Sequence, residues 1–417
     1  MSRSGWFGKQ RSTLVTGGST ATKRIWRRPG GRAAVLTASG AALVLAAGVV
    51  SVAVGASGSH AALVSAARHS MRAQPAPALR VLSVTPAAGA QGVNGAAPIR
   101  VQFSAPLAAS TPMPQLSPHI AGSWQVEGDT ALFIPAVGYF QDTRVTLNIP
   151  GGPGGMISVG GVSARAGGLL ASGVTQSFTT GSFSTLRLQE LLAQLGYLPL
   201  TWTPGSSSVI SPGNTKAELA AAYDPPGGTF SWQSSYPSEL TDQWQAGVAN
   251  MLDIGAIRTF ESAQGLTMDG DAGDAVWSDL FTAAAKGQHD PNGYTYALVN
   301  QNLPESITIW HDGHQVLNSP VNTGIPASPT VDGTFPVYLR FYFTYMSGFN
   351  PDGSYYNDPV WYVSYFNGGD AVHYFPRGGY GYNQSLGCVE LPWGQAAQAY
   401  PYLTYGSLVT VIGPVGG

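Results

Sequence analysis

Residues 370–392 have the sequence DAVHYFPRGGYGYNQSLGCVELP, which contains His373 and Cys388, the only cysteine of the 417-residue chain. A single cysteine excludes an internal disulfide, a CxxC redox pair and a zinc site built on cysteine ligands. A lone cysteine is most often an inert, buried side chain, and a lone histidine most often makes an ordinary hydrogen bond. The Gly-rich setting of Cys388, in a chain without any other thiol, instead favours a reactive residue.

The spacing of His373 and Cys388 suits acyl-transfer chemistry. A nearby imidazole can lower the pKa of a thiol from about 8.5 by several units and so produce the thiolate that attacks a carbonyl carbon. Fifteen residues separate the two side chains, which suits two neighbouring strands joined by a loop. Gly387 would let a carbonyl substrate approach the backbone, and main-chain N–H groups around Cys388 would bind the resulting oxyanion.

The same segment resembles the signature of the L,D-transpeptidase catalytic domain, in which a His is followed at a similar spacing by SxGC. Ser385 and Gly387 complete this pattern with His373 and Cys388. Upstream, VNTGIPASPTVDGTFPV at residues 321–337 resembles the strand and turn that end in PTPxGxF in that family. The resemblance covers roughly residues 294–412, so we expect a β-rich L,D-transpeptidase catalytic domain over residues 292–414.

The resemblance implies an enzyme that needs no cofactor and no metal ion. Cys388 would attack the third residue of a peptidoglycan tetrapeptide stem, release the terminal D-Ala and hold the acyl group as a thioester. An amine of a neighbouring stem would accept the acyl group and give a 3→3 cross-link. The family's behaviour also implies acylation of Cys388 by carbapenems. The residues assigned to catalysis are Cys388, His373, Ser385 and Gly387.

Three positions depart from the family pattern. The family commonly has His where Leu386 stands and Arg where Glu390 stands, and many relatives have Gly or Ser in place of Tyr374. We interpret these changes as altered substrate contacts. Two other interpretations stay open: a non-catalytic wall-binding or scaffold protein with a degenerate transpeptidase domain, and an exported cysteine peptidase (L,D-carboxypeptidase) acting on stem peptides. The side chains expected to contact substrate are Tyr362, Tyr374, Arg377, Tyr380 and Leu386.

The first 78 residues predict the location of the protein. Residues 1–32 carry eight basic residues and no acidic one, and residues 33–56 carry no charge. As a helix, these 24 uncharged residues would span about 36 Å, enough to cross a bilayer. The positive-inside rule then gives a cytoplasmic tail at 1–32, a transmembrane anchor at 33–56 and an extracytoplasmic linker at 57–78. A cleaved signal peptide is the alternative.

Two further domains are expected before the catalytic one. Short runs of alternating apolar and polar residues, separated by turn residues over 79–181, predict a β-sandwich, and their sequence resembles bacterial Ig-like domains. Residues 182–288 contain LRLQELLAQLGY and FESAQGLTMDGDAGDAVW, which resemble a peptidoglycan-binding domain split by an insertion. Such a domain implies contact with glycan strands, although Glu261 stands where the family usually has Gln. A small helical bundle that only packs on its neighbours is the alternative.

Composition agrees with a mainly β, multidomain protein. Charged residues make up only 10% of the chain and the net charge is -2, which argues against a nucleic-acid partner. Outside residues 1–32 the chain has 12 basic and 22 acidic residues, a net charge of -10. The predicted order is therefore a transmembrane helix, an Ig-like β-sandwich, a small helical peptidoglycan-binding domain and the catalytic domain. The expected partners are the membrane and peptidoglycan stem peptides in the cell-wall space.

Overall fold

The computed structural model describes residues 76–153, 160–206, 209–211 and 213–414. The predicted cytoplasmic tail, the transmembrane segment and all but the last three residues of the linker lie outside the described residues. Within the described ranges, no helix is both long enough and apolar enough to cross a bilayer.

Among the described residues between 81 and 179, seven strands form a β-sandwich. One antiparallel sheet has the order β1-β2-β5-β4 and the other the order β3-β6-β7. The side chains of Ile99, Val101 and Phe103 alternate with more exposed neighbours, so β2 presents one apolar face to the core between the sheets. The strands are β1 Val81–Thr85, β2 Ile99–Phe103, β3 Gln115–Ser117, β4 Gly122–Glu127, β5 Thr130–Pro135, β6 Arg144–Ile149 and β7 Val174–Thr179.

Within the described residues between 185 and 286, five helices and one β-hairpin follow the sandwich. The predicted insertion forms the hairpin of β8 and β9 with α2 between its strands. Asn250 and Asp253 form a capping box at the start of α4, and Gly265 ends this helix in a left-handed conformation with a φ of 71°. The elements are α1 Thr185–Gln194, β8 Leu200–Pro204, α2 Thr215–Tyr223, β9 Gly228–Trp232, α3 Ser238–Thr241, α4 Met251–Gln264 and α5 Asp274–Lys286.

The described residues from 295 to 412 form two sheets and one helix. A five-stranded sheet has the order β12-β11-β10-β18-β13, and a four-stranded sheet has the order β14-β15-β16-β17. Their facing sides enclose a core that includes Val299, Ile309, Val372 and Val389. The elements are β10 Thr295–Asn300, β11 Ser306–His311, β12 His314–Pro320, β13 Gly333–Pro336, β14 Leu339–Phe349, β15 Tyr355–Asn367, β16 Asp370–Tyr374, β17 Val389–Leu391, α6 Trp393–Ala399 and β18 Leu408–Ile412.

The helices between residues 185 and 286 pack closely on the five-stranded sheet. Tyr296 and Leu408 are buried in the same cluster as the helical core, and each side chain of this size stabilises the fold by about 1.5–3 kcal/mol when buried. A Cβ on Gly255 of α4 would stand 2.7 Å from Gly406 O, so only glycine permits this approach of helix and loop. Thr259 Oγ1 donates to Tyr405 O at 3.1 Å beside it. The helical region therefore supports the five-stranded sheet, whereas His373 lies on the four-stranded sheet.

Candidate active site

His373 and Cys388 line one cavity of about 670 Å³. Its walls come from the long β14–β15 hairpin, from β16 and from the loop that precedes β17. β16 and β17 are adjacent parallel strands, with Val372 paired to Val389 and His373 paired to Glu390. Cys388 directly precedes β17 and lies two residues before Glu390, the partner of His373.

The His373 imidazole is held in one tautomer. Its ring is 2% exposed, and Nδ1 donates to the main-chain oxygen of Tyr374 at 2.9 Å. Because Nδ1 carries the proton, Nε2 keeps a free lone pair and is the basic atom. Burial lowers the pKa of His373 to about 4, the Tyr374 carbonyl opposes this shift, and the charge of Arg377 adds to it. The imidazole is therefore neutral at pH 7.

The Cys388 thiol is protonated in the same state. Burial, with a smaller contribution from the carboxylates of Asp370 and Glu390, raises its pKa to about 12 against the opposing effect of the Ala371 backbone. Its Sγ lies 3.9 Å from Met346 Sδ and 3.8 Å from Gly369 O. Within the described part of the chain, no hydrogen bond joins the thiol to the imidazole. The resting pair is thus a neutral thiol and a neutral base, and Met346 of β14 covers the sulfur.

Side chains from a neighbouring loop fix the backbone around Cys388. Ser385 Oγ donates to Cys388 O at 2.6 Å and accepts from Gly387 N at 3.2 Å. Thr330 Oγ1 donates to Gly387 O at 2.8 Å, and Ser328 Oγ donates to Leu386 O at 3.1 Å. Three consecutive carbonyl groups are therefore held, and the loop presents Cys388 in one conformation.

Gly387 satisfies a backbone requirement of this loop. Its φ of 112° lies in a region that residues with a side chain rarely adopt. A Cβ at this position would also collide with Asp370 Oδ1. The N–H of Gly387, one of the main-chain groups expected to bind an oxyanion, donates to Ser385 in this state.

Comparison with known protein families identifies two segments of the chain. Residues 295–411 match the family model of the L,D-transpeptidase catalytic domain, and residues 75–180 match that of the bacterial Ig-like domain. Residues 295–411 are an L,D-transpeptidase catalytic domain. The chain thus joins this catalytic domain to an Ig-like domain through the helical region. No curated protein matches the chain.

Several solved structures are similar to the chain. An L,D-transpeptidase from Mycobacterium smegmatis is 16% identical, with 81% of this chain and 100% of that chain covered and a TM-score of 0.27. L,D-transpeptidase 3 from Mycobacterium tuberculosis, in complex with a faropenem-derived adduct, is 15% identical, with 80% and 98% covered and a TM-score of 0.27. The catalytic domain of the E. faecium L,D-transpeptidase is 26% identical, with 28% and 96% covered and a TM-score of 0.27.

Two of the expected substrate contacts, Arg377 and Leu386, line the cavity of the L,D-transpeptidase domain. Arg377 is bound by Glu390, the residue that stands where the family commonly has Arg. Its Nη2 also donates to Gln384 O at 3.1 Å, and its guanidinium lies 4.7 Å from the Phe375 ring centre. The hydrogen bonds to Glu390 raise the pKa of Arg377.

The three expected tyrosines do not line the cavity. Tyr362 and Tyr374 pack on Trp393 of α6, with ring centres 5.1 and 4.9 Å from the indole. Tyr362 has a φ of 58°, which turns it out of the regular β15–β16 pairing. Tyr380 donates its hydroxyl to Phe375 O at 2.6 Å and so braces the loop after β16. These three side chains therefore stabilise the elements around the cavity and do not line it.

Two carboxyl groups and a thioether in the L,D-transpeptidase cavity had no signal in the sequence pattern. Asp370 begins β16, Asp358 lies on β15 and Met346 on β14, and all three line the cavity. Burial raises the pKa of Asp370 to about 6. Asp370 and Met346 lie near the thiol only because of strand pairing, so no local sequence motif predicts their position.

Proposed function

We propose that the protein is an exported L,D-transpeptidase that forms 3→3 cross-links in peptidoglycan. Cys388 is the nucleophile and His373 the base. One observation carries this proposal: a histidine whose Nδ1 is fixed on a carbonyl, with a basic Nε2, shares one cavity with the chain's only thiol. The L,D-transpeptidase catalytic domain over residues 295–411 supports the reaction class.

The first step forms the acyl-enzyme. Sγ attacks the carbonyl carbon of the third stem residue, and the thiol proton passes to His373 Nε2. The C–S bond forms, the C–N bond to D-Ala breaks, and Nε2 returns the proton to the leaving amine. Because the resting pair is neutral, proton transfer accompanies the attack instead of preceding it.

The second step transfers the acyl group. A free amine of a neighbouring stem attacks the thioester carbon, the C–N bond forms and the C–S bond breaks. His373 moves the amine proton to Sγ and restores the thiol. No cofactor is needed, because acyl group, leaving group and proton balance among substrate, Cys388 and His373.

The other residues of the site position the thiol or contact the substrate. Ser385 and Gly387 hold the loop that presents the thiol, while Arg377 and Leu386 face the donor stem from the cavity wall. Tyr362, Tyr374 and Tyr380 would affect the substrate through β15, β16 and the loop that they brace. We extend the proposal to the remaining regions: residues 182–288 contact glycan strands, and residues 33–56 anchor the protein in the membrane with its catalytic domain in the cell-wall space.

A carbapenem tests the nucleophile directly. We expect the full-length protein to gain the mass of one imipenem molecule, and we expect Cys388→Ser to gain none. His373→Ala should slow adduct formation by at least about a hundredfold, within the range that a positioned base contributes. His314→Ala, on the exposed β11–β12 turn, is the matched control and should react at the wild-type rate. An unmodified wild-type protein would overturn the proposal.

Product analysis separates transfer from hydrolysis. With purified disaccharide-tetrapeptide, the wild-type protein should yield dimers linked between two third residues, together with free D-Ala. Tripeptide without dimers would instead identify an L,D-carboxypeptidase. Sacculus binding without either product would identify a non-catalytic wall-binding protein.

A further inference from the structure

Asp370 is a carboxyl group of the cavity that the reaction described above does not use. Its Oδ1 lies against the main chain of Gly387, because a Cβ there would collide with it. The Asn367 side chain and the Val331 backbone lie near enough to lower the pKa of Asp370 against the effect of burial. Asp370 is therefore held where three chain segments meet beside the nucleophile.

The charges of the cavity do not cancel. Its charged lining residues within the described part of the chain are Asp358, Asp370, Arg377 and Glu390. Arg377 and Glu390 neutralise each other through two hydrogen bonds. His373 is neutral at pH 7, since burial lowers its pKa to about 4. The carboxylates of Asp358 and Asp370 are left without a partner charge from this set, which favours a cationic substrate group.

We propose that Asp370 determines acceptor specificity by binding the ammonium group of the incoming stem. This inference rests on the proposed transpeptidase function. The acceptor is then a stem peptide with a primary amine on a flexible side chain, since such an amine is a cation at neutral pH.

Asp370 takes no part in the bond changes of acyl transfer, so its role is to bind the acceptor ammonium group. The bound ammonium loses one proton to solvent before it reacts. The free amine then forms the C–N bond as the C–S bond breaks, and its second proton passes through His373 Nε2 to Sγ. Asp370 changes none of these bonds, so its removal should act on acceptor KM and not on the formation of the acyl-enzyme.

The test compares acceptor binding with acylation in the same full-length protein. Asp370→Asn should raise the KM for the amine acceptor about tenfold, the effect of losing one partly screened charge contact. Its rate of imipenem acylation should not fall. Asp370→Glu keeps the charge and should recover part of the acceptor affinity. Asp352→Asn, on the exposed turn of the β14–β15 hairpin, makes the same charge change outside the lining and should leave both values unchanged.

Salt gives an independent measurement on the wild-type protein. Acceptor KM should rise between low ionic strength and 0.3 M salt, and this rise should be smaller in Asp370→Asn. An unchanged acceptor KM in Asp370→Asn would overturn the inference while leaving the transpeptidase function intact. Loss of imipenem acylation in a folded Asp370→Asn would also overturn it, because Asp370 would then only position the loop. A wild-type protein without adduct or dimers would instead reject the function itself.

Discussion

Arg377 and Glu390 form a two-point ion pair in the wall of the active-site cavity. The separations from Nε to Oε2 and from Nη2 to Oε1 are both 2.7 Å. Glu390 is only 4% exposed and pairs with His373 in the β16–β17 register. The family signature commonly places Arg at this position. Here a guanidinium is supplied from the loop after β16, and its counter-charge stands on β17.

The ion pair predicts a strong coupling between residues 377 and 390. Arg377→Gln should lower the free energy of unfolding by about 2–3 kcal/mol, because it leaves the Glu390 carboxylate buried without a partner. Glu390→Gln should lower it by about 1 kcal/mol, since the partly exposed guanidinium keeps contact with water. The double variant Arg377→Gln with Glu390→Gln should lose less than the sum of the two single losses, because it leaves neither charge without a partner. Urea unfolding of the three variants measures the coupling, and a double variant as unstable as the sum of the singles would contradict it.

The neutral resting state predicts how Cys388 reacts with pH. Because the pKa of its thiol is raised to about 12, the thiolate fraction should grow about tenfold per pH unit between pH 6 and 9. The rate of alkylation by iodoacetamide should rise accordingly, and a plateau in this range would indicate a preformed thiolate. Met346→Ala removes the side chain that covers the sulfur. It should raise the rate by a similar factor at every pH and leave the slope unchanged.

The sequence predicts the parts of this structure that local patterns determine. Alternating apolar residues give the strands of the sandwich, and the spacing of His373 and Cys388 suits the adjacent strands that carry them. The leucines of α1 are buried as their spacing predicts, but polar residues between them, such as Arg187 and Glu190, are buried as well. Contacts that depend on pairing between strands distant in the sequence leave no local sequence pattern. Asp370 reaches Gly387 through the β16–β17 pairing, and Met346 reaches the thiol because β14 is the first strand of a long hairpin. Tyr362 was expected in the groove, but a bulge in β15 sends its ring to Trp393.

Gly387→Ala should disable the nucleophile loop. The substitution combines an unfavourable φ of 112° with a collision against Asp370. Such strain costs about 1–3 kcal/mol, and the loop would relieve it by moving the thiol away from His373. Imipenem acylation should fall by at least about a hundredfold, a loss of the size seen when reacting groups are misplaced by about 1 Å. Gly378→Ala is the control, because a Cβ there meets nothing within 4 Å. Equal acylation rates in the two variants would contradict this account of the loop.

Glu261 predicts a pH dependence of stability in the helical region. It is 1% exposed, its Oε2 accepts from Gly270 N at 2.9 Å, and burial raises its pKa from 4.5 to about 7. The folded protein thus holds this proton more tightly than the unfolded chain, so stability should fall as the pH rises from about 4.5 to 7 and then level off. Glu261→Gln cannot ionise and should gain about 1–2 kcal/mol over the wild type at pH 8, relative to their difference at pH 4.

Denaturant unfolding at pH 4, 6 and 8 measures this gain. Glu127→Gln, on an exposed strand of the Ig-like domain, is the matched control and should run parallel to the wild type. A Glu261→Gln variant that also runs parallel to the wild type would show that the carboxyl stays ionised in the folded state. The expected gain has a physical source in the amide, which fills the same space beside Gly270 without a charge to desolvate.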